Sequence, residues 1–334
     1  MKKIGLTLLI LGIGVIAWDA FAPKESKIIS PLVKRFSGSQ NTLNPERVYA
    51  EYSFDSLSQK KYEGSQIKLE REILKEEKYT SWVFSYLSDG QKVTGQLNLP
   101  KKTGKSPVVI MLRGYADKEI YFTGLGTRKA AGVLAENGFI TFAPDFLGFG
   151  GSDSETTDVL LNRFKRPVTV LNLIASLNNF PQADLNHVFL WAHSNGGQIA
   201  LSVLEISGFN YPATLWAPVT LGFPECVLDY IDQENLTPEA QKVLSAVNDF
   251  ETTYDPKIFS TDNYYQKINA PIQIHQGGAD PWVPAEWQED LIKELNKLKK
   301  EVTYYYYPQA DHNLEPSWDT VVQKDLEFFN RFLN

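Results

Sequence analysis

The stretch that decides the fold reads H-V-F-L-W-A-H-S-N-G-G-Q-I-A, residues 187–200. Its first six residues include the continuous apolar run of a strand buried on both faces, and from about residue 196 the spacing turns helical. Ser194 stands at the junction, with Ala192 two residues before it and Gly196 two after. A strand–serine–helix junction of this kind is a nucleophile elbow: the turn is so sharp that the flanking positions must be small, and it exposes the hydroxyl at the carboxyl end of the strand. Asn195 then opens the helix, and its N–H is aimed at an oxyanion forming on a carbonyl that Ser194 attacks. A serine that merely caps a helix would need neither the strand nor the small neighbours.

The same alternation repeats on both sides of the elbow. P-V-V-I-M-L (107–112) leads to a helical pattern over about 126–137, and F-I-T-F-A-P (139–144) to one over 157–178. Y-P-A-T-L-W (211–216), P-I-Q-I-H (271–275) and V-T-Y-Y-Y-Y (302–307) are further strands, with helices over 284–299 and 317–333 after the last two. Upstream, two alternating runs flank Asp89-Gly90, a hairpin signal. The class is therefore α/β: a mostly parallel central sheet fed by an N-terminal antiparallel hairpin, helices on both faces, and chemistry at the carboxyl ends of the strands. Residues 219–266 interrupt the rhythm where a cap over the site would sit. Between 221 and 260 eight acidic residues face only Lys242 and Lys257. That charge either keeps a lid soluble or draws cationic substrates by focusing the field.

A serine needs a base, and the chain has four histidines. His193 adjoins Ser194, so its side chain is expected to depart in another direction; His187 opens a strand and His275 lies within one. His312, in Y-P-Q-A-D-H-N-L after the last strand, is the expected base. Asp280, in H-Q-G-G-A-D-P-W-V-P (275–284), follows the penultimate strand and is the expected orienting acid; Asp311, next to His312, is read as solvated. The chain order Ser194, Asp280, His312 suits this architecture. The second oxyanion donor is expected from L-R-G-Y-A-D (112–117), where Gly114 permits a tight turn and the Tyr115 amide points inward. Arg113, Trp216 and Trp282 are candidate pocket residues.

On these motifs the chain resembles an α/β-hydrolase, and within that superfamily is similar to the catalytic domain of prolyl oligopeptidase-type serine peptidases and related dienelactone-hydrolase-like enzymes. The resemblance covers about residues 80–334. It rests on S-N-G-G (194–197), G-x-x-D-x-x-V-P closed by Pro284 with Gln288 following, Y-P-x-A-x-H ending at His312, and V-T-G-x-L-x-x-P (93–100). It implies a Ser194–Asp280–His312 triad cleaving peptide or ester acyl bonds through an acyl-enzyme. Three departures stand out. Arg113 occupies a place where many members carry His or Tyr, the elbow begins with Ala rather than Gly, and residues 23–78 are too short for the β-propeller that gates true oligopeptidases. A non-catalytic, membrane-tethered binding module on the same fold is the alternative from another class.

Composition narrows the field further. With 33 Lys+Arg against 40 Asp+Glu the net charge is −7, which argues against a nucleic-acid partner. The one cysteine, Cys226, excludes an intrachain disulfide and a CxxC motif, and the scattered histidines offer no metal-ligand spacing. D-F-L-G-F-G-G-S-D (145–153) lacks the G-K-[ST] of a phosphate loop and is read as a tight turn. No cofactor and no metal are expected. Lys2 and Lys3 precede an uncharged run from Ile4 to Trp18 and the ending Ala20-Phe21-Ala22, so residues 1–22 read as a signal peptide or an N-terminal membrane anchor. Residues 23–65 are expected to be a juxtamembrane spacer with at most a short helix, 66–334 the catalytic domain, and the protein to be exported. Nothing in the sequence sets its oligomeric state.

Overall fold

The computed structural model describes residues 48–333. The expected signal or anchor over 1–22 lies outside the described residues, as does the spacer up to residue 47. Among the described residues no helix is long and apolar enough to cross a membrane.

Nine strands form one sheet: β1 (Lys68–Lys75), β2 (Tyr79–Ser88), β3 (Gln91–Pro100), β4 (Ser106–Leu112), β5 (Ile140–Pro144), β6 (Ala183–His193), β7 (Ala213–Trp216), β8 (Ile272–Gly277) and β9 (Val302–Tyr307). Their order is β1-β2-β3-β5-β4-β6-β7-β8-β9. The hairpin forms as expected, with Ser88 paired to Gln91 and both Asp89 and Gly90 at positive φ (47° and 80°), the turn whose twist matches the strands. From β5 onward every neighbouring pair is parallel. Strand β1 carried no signal in the sequence, because K-L-E-R-E-I-L-K pairs along the sheet edge with almost every side chain exposed. Charge on an edge strand discourages pairing with another chain.

The helices are α1 (Phe54–Gln59), α2 (Arg128–Glu136), α3 (Val159–Ser176), α4 (Asn195–Ser207), α5 (Glu225–Leu228), α6 (Pro238–Glu251), α7 (Ala285–Lys297) and α8 (Trp318–Asn330). Alternate residues of β4 feed opposite faces of the sheet. Val108, Ile110 and Leu112 join a core with residues of α3 and α4, while Val109 and Met111 join one with α2 and α8. The cap over 219–266 contains α5 and α6. It has its own cluster, in which Phe223, Phe250 and Phe259 pack on Leu160, Phe164 and Val283. All eight acidic residues between 221 and 260 face solvent.

One boundary differs from expectation. Residues 48–65 are no spacer: α1, capped by the Ser53 hydroxyl on the Ser56 N–H at 3.2 Å, buries Phe54 and Leu57. The Phe54 ring stacks on Tyr264 at 4.7 Å. The sequence allows a short helix here, and two apolar residues three apart give it an amphipathic face; its docking on the domain core is what the polar neighbours hid.

Candidate active site

The elbow forms where the sequence places it. Ser194 has φ 55° and ψ −124°, a conformation that costs free energy and persists only when its surroundings hold it. They do so through three backbone bonds: the Ser194 N–H donates to Trp216 O at 2.9 Å, and Ser194 O accepts the N–H groups of Gly197 (2.8 Å) and Val219 (3.0 Å). The small flanks are sterically required. A Cβ on Gly196 would lie 2.1 Å from the carbonyl oxygen of Leu112, and one on Gly197 2.3 Å from Pro218 Cβ.

Asp280 and His312 meet as expected, with the imidazole Nδ1 donating to Asp280 Oδ2 at 2.8 Å. The carboxylate is almost completely buried and satisfied on both oxygens. Oδ1 accepts the N–H groups of Trp282 (2.8 Å) and Val283 (3.0 Å), and Oδ2 also faces Gln276 Nε2 at 3.3 Å. A carboxylate held in this way fixes the ring orientation and leaves Nε2 as the basic nitrogen. Asp311 turns away: its Oδ1 accepts the N–H groups of Asn313 and Glu315 and so shapes the loop that carries His312. His187 pairs with Asp184, and His275 is buried in the sheet beside Tyr307 and Gln273.

His193 departs from expectation. Its ring lies 4.7 Å from that of His312, and its Nε2 donates to the main-chain oxygen of His312 at 2.9 Å. Adjacent residues on a strand point to opposite faces, but β6 ends in the elbow, and the backbone turn brings the His312 loop against His193. Spacing alone could not reveal this contact.

The loop after β4 lies directly on Ser194. A Cβ on Gly114 would stand 2.9 Å from Ser194 Cβ and 3.4 Å from its Oγ, so the peptide entering Tyr115 passes beside the hydroxyl. Among the described residues neither the Tyr115 nor the Asn195 N–H finds an acceptor. These are the two donors expected for the oxyanion. The Tyr115 side chain itself is exposed.

The sequence pattern of the prolyl oligopeptidase family matches residues 126–334, which takes in the elbow, the acid loop and the histidine loop. The chain belongs to the prolyl oligopeptidase family. It is a serine hydrolase of that family, whose relatives include dienelactone-hydrolase-like proteins. It is 22% identical over 253 residues to the uncharacterized peptidase YtmA of Bacillus subtilis, covering 73% of this chain and 91% of that one. Over 256 residues it is 25% identical to an Escherichia coli K12 protein provisionally named a carboxymethylenebutenolidase, covering 73% and 84%. Among solved structures it is similar to acetyl xylan esterase 1 from Thermoanaerobacterium sp., with TM-score 0.60, 15% identity, and 86% and 94% of the chains covered. At that identity the likeness speaks for the fold: an α/β-hydrolase.

Two of the expected pocket residues belong elsewhere. Arg113 is buried beneath the oxyanion loop, where its guanidinium donates to Gly114 O (2.9 Å) and Asp145 O (3.1 Å) and lies over the rings of Phe149 (4.2 Å) and Tyr121 (4.7 Å). The Asp145 carboxylate accepts from Thr94, Tyr121 and Thr123, and burial pushes its pKa up. The glycine-rich run 145–153 is thus more than an edge turn. Its Gly150, at φ 58°, leaves room for Asp145 Oδ2, which a Cβ would approach to 2.2 Å. Trp216 is core, with its Nε1 donating to Asp325 at 2.8 Å. Trp282 remains beside the site, half-buried between Asp280 and the cap cluster.

Proposed function

We propose that Ser194, His312 and Asp280 hydrolyse small ester or peptide acyl bonds through an acyl-enzyme. The observation that carries this reading is the Asp280–His312 hydrogen bond, set against a strained Ser194 over which the Gly114 loop is laid. His312 Nε2 takes the hydroxyl proton as Ser194 Oγ attacks, and the Tyr115 and Asn195 amides receive the oxyanion. The proton passes to the leaving group, and a water activated by the same nitrogen then frees the acid. The cap is a short helical insertion and no propeller stands over the site among the described residues, so small substrates suit it. The family favours a peptide, and the dienelactone-hydrolase-like relatives favour an ester.

A fluorophosphonate probe tests the nucleophile without knowledge of the substrate. The protein should be labelled at Ser194, and Ser194→Ala should take up no label. Equal labelling of the variant would sink the proposal. A panel of aryl esters and aminoacyl amides then separates the two substrate classes by kcat/KM. We further propose that residues 1–22 direct export, on the basic start and apolar run of that segment. Fractionation of cells producing the full chain and a chain beginning at residue 24 checks this, with the shorter chain expected to remain in the cytoplasm.

A further inference from the structure

Two arginines outside the catalytic set stand one turn apart on α3, Arg163 and Arg166, and so share a helix face. Both line a narrow crevice that also touches Asn195, Gln198, Phe164 and Phe223. Arg163 is held in place: its guanidinium donates to Gln198 Oε1 and lies 3.1 Å from Cys226 Sγ in the cap. Gln198 in turn donates to Leu221 O at 3.0 Å. Arg166 has neither a hydrogen bond nor an ion pair among the described residues. The carboxylate whose charge it feels, Glu155, is engaged by Lys118, while the guanidinium groups of Arg163 and Arg113 repel it. Burial first, and these like charges second, push its pKa down to about 10.

An uncompensated pair of cations in a partly buried crevice is unfavourable unless an anion joins it. The acidic residues of the cap do not serve, since all of them face solvent. The position of the crevice decides which part of a substrate would enter. It reaches Asn195, whose amide serves the oxyanion. No residue of the Asp280 or His312 loops lines it. The leaving group must face His312 to be protonated, which leaves the crevice for the acyl side.

We propose that Arg163 and Arg166 form a carboxylate-binding subsite for the acyl portion of the substrate, so that acyl groups ending in a carboxylate are preferred over neutral ones. Planar guanidinium groups bind carboxylates through paired N–H donors. Arg166 supplies the open valence and Arg163 the fixed one. The proposal rests on Ser194 being the nucleophile.

The test uses the full chain with an aryl hemiglutarate and its neutral methyl ester, which share the reacting bond and differ in the terminal charge. The hemiglutarate should show kcat/KM at least about tenfold higher, the scale of one charge-assisted hydrogen bond. Arg166→Gln should bring the ratio of the two toward one, and Arg166→Lys should restore part of it. In the unaltered protein monomethyl glutarate should slow fluorophosphonate labelling of Ser194 more than dimethyl glutarate does at equal ionic strength, a readout independent of how the variants fold. A ratio at or below one, a ratio unmoved by Arg166→Gln, or equal protection by the two esters of glutarate each overturns the subsite while labelling of Ser194 upholds the hydrolase. Loss of labelling altogether overturns the hydrolase reading, and the subsite with it.

Discussion

His193 Nε2 lies 2.9 Å from the main-chain oxygen of His312, and because a carbonyl only accepts, the ring must carry a proton on Nε2 to act as the loop's anchor. Burial, followed by the nearby His312, pushes the His193 pKa down to about 3 from an ordinary value of 6.5. Between those values the unfolded chain binds a proton that the folded protein refuses. The stabilisation is therefore complete above about pH 6.5 and is lost as pH falls toward 3. Urea unfolding followed from pH 7 to 4 should show the midpoint dropping, and His193→Gln, whose amide can still donate to His312 O, should flatten that slope. An identical slope in the variant would assign the acid sensitivity to other groups.

The two neighbouring acids should behave very differently. Asp280→Asn replaces a carboxylate that accepts two main-chain N–H groups and the His312 ring, so the imidazole loses the partner that sets its tautomer. A fall of ~10⁴ in kcat is the expected scale. Asp311→Asn keeps an oxygen able to accept the Asn313 and Glu315 N–H groups, and turnover should change less than about threefold. Steady-state hydrolysis of one aryl ester by both variants checks this, and a reversal would name Asp311 as the orienting acid.

Gly114→Ala tests how closely the oxyanion loop is packed on the nucleophile. The added Cβ would lie 2.9 Å from Ser194 Cβ, so either the loop or the elbow must shift. Arg113 ties the loop to the end of β5 through two carbonyls, which restrains the loop and sends the strain into Ser194 and the Tyr115 amide. Misplacement of that kind should lower kcat by about 10²-fold with a smaller change in KM. Wild-type turnover in the alanine variant would show that the loop stands farther from the hydroxyl.

Much of this site was legible because its chemistry depends on local pattern. The elbow needs a strand, two small residues and a helix in one run, and Asp280 and His312 each follow a strand on the same end of a parallel sheet. The residues that escaped do their work across the sequence. Gln276 reaches Asp280 only because the chain turns back on itself between 277 and 283. Arg113 looked like a pocket residue because it precedes the oxyanion glycine, yet Tyr121, farther along its own loop, and Asp145 and Phe149, from the loop after β5, draw the guanidinium inward. Strand β1 showed no alternation because both its faces are wet. Trp216 ends a strand at the catalytic edge, and only the acceptor on α8 shows that it faces away.

That acceptor, Asp325, supports the last prediction. Its fully buried carboxylate lies on α8, the helix that follows the His312 loop, and it gathers donors from three strands: Trp191 Nε1 (3.2 Å), Thr214 Oγ1 (2.6 Å), Trp216 Nε1 (2.8 Å) and Gln273 Nε2 (3.2 Å). Removing the acceptor with Asp325→Ala leaves the two indole N–H groups and the Thr214 hydroxyl dry, while Gln273 Nε2 keeps His275 Nε2 at 2.8 Å, and opens a gap between α8 and the sheet. Stranded buried donors cost about 1–3 kcal/mol each when nothing replaces the acceptor. Relaxation makes such losses less than additive, so a fall of about 3–5 kcal/mol in unfolding free energy is the reasonable scale. Asp325→Asn keeps one accepting oxygen but turns a donor toward the two indoles, and should fall between the alanine variant and the unaltered protein. Urea unfolding followed by tryptophan fluorescence reads both effects, because Trp191 and Trp216 report on the site directly. Were Asp325→Ala to unfold at the same urea concentration as the parent, the carboxylate would not be what fastens the helix behind the histidine loop.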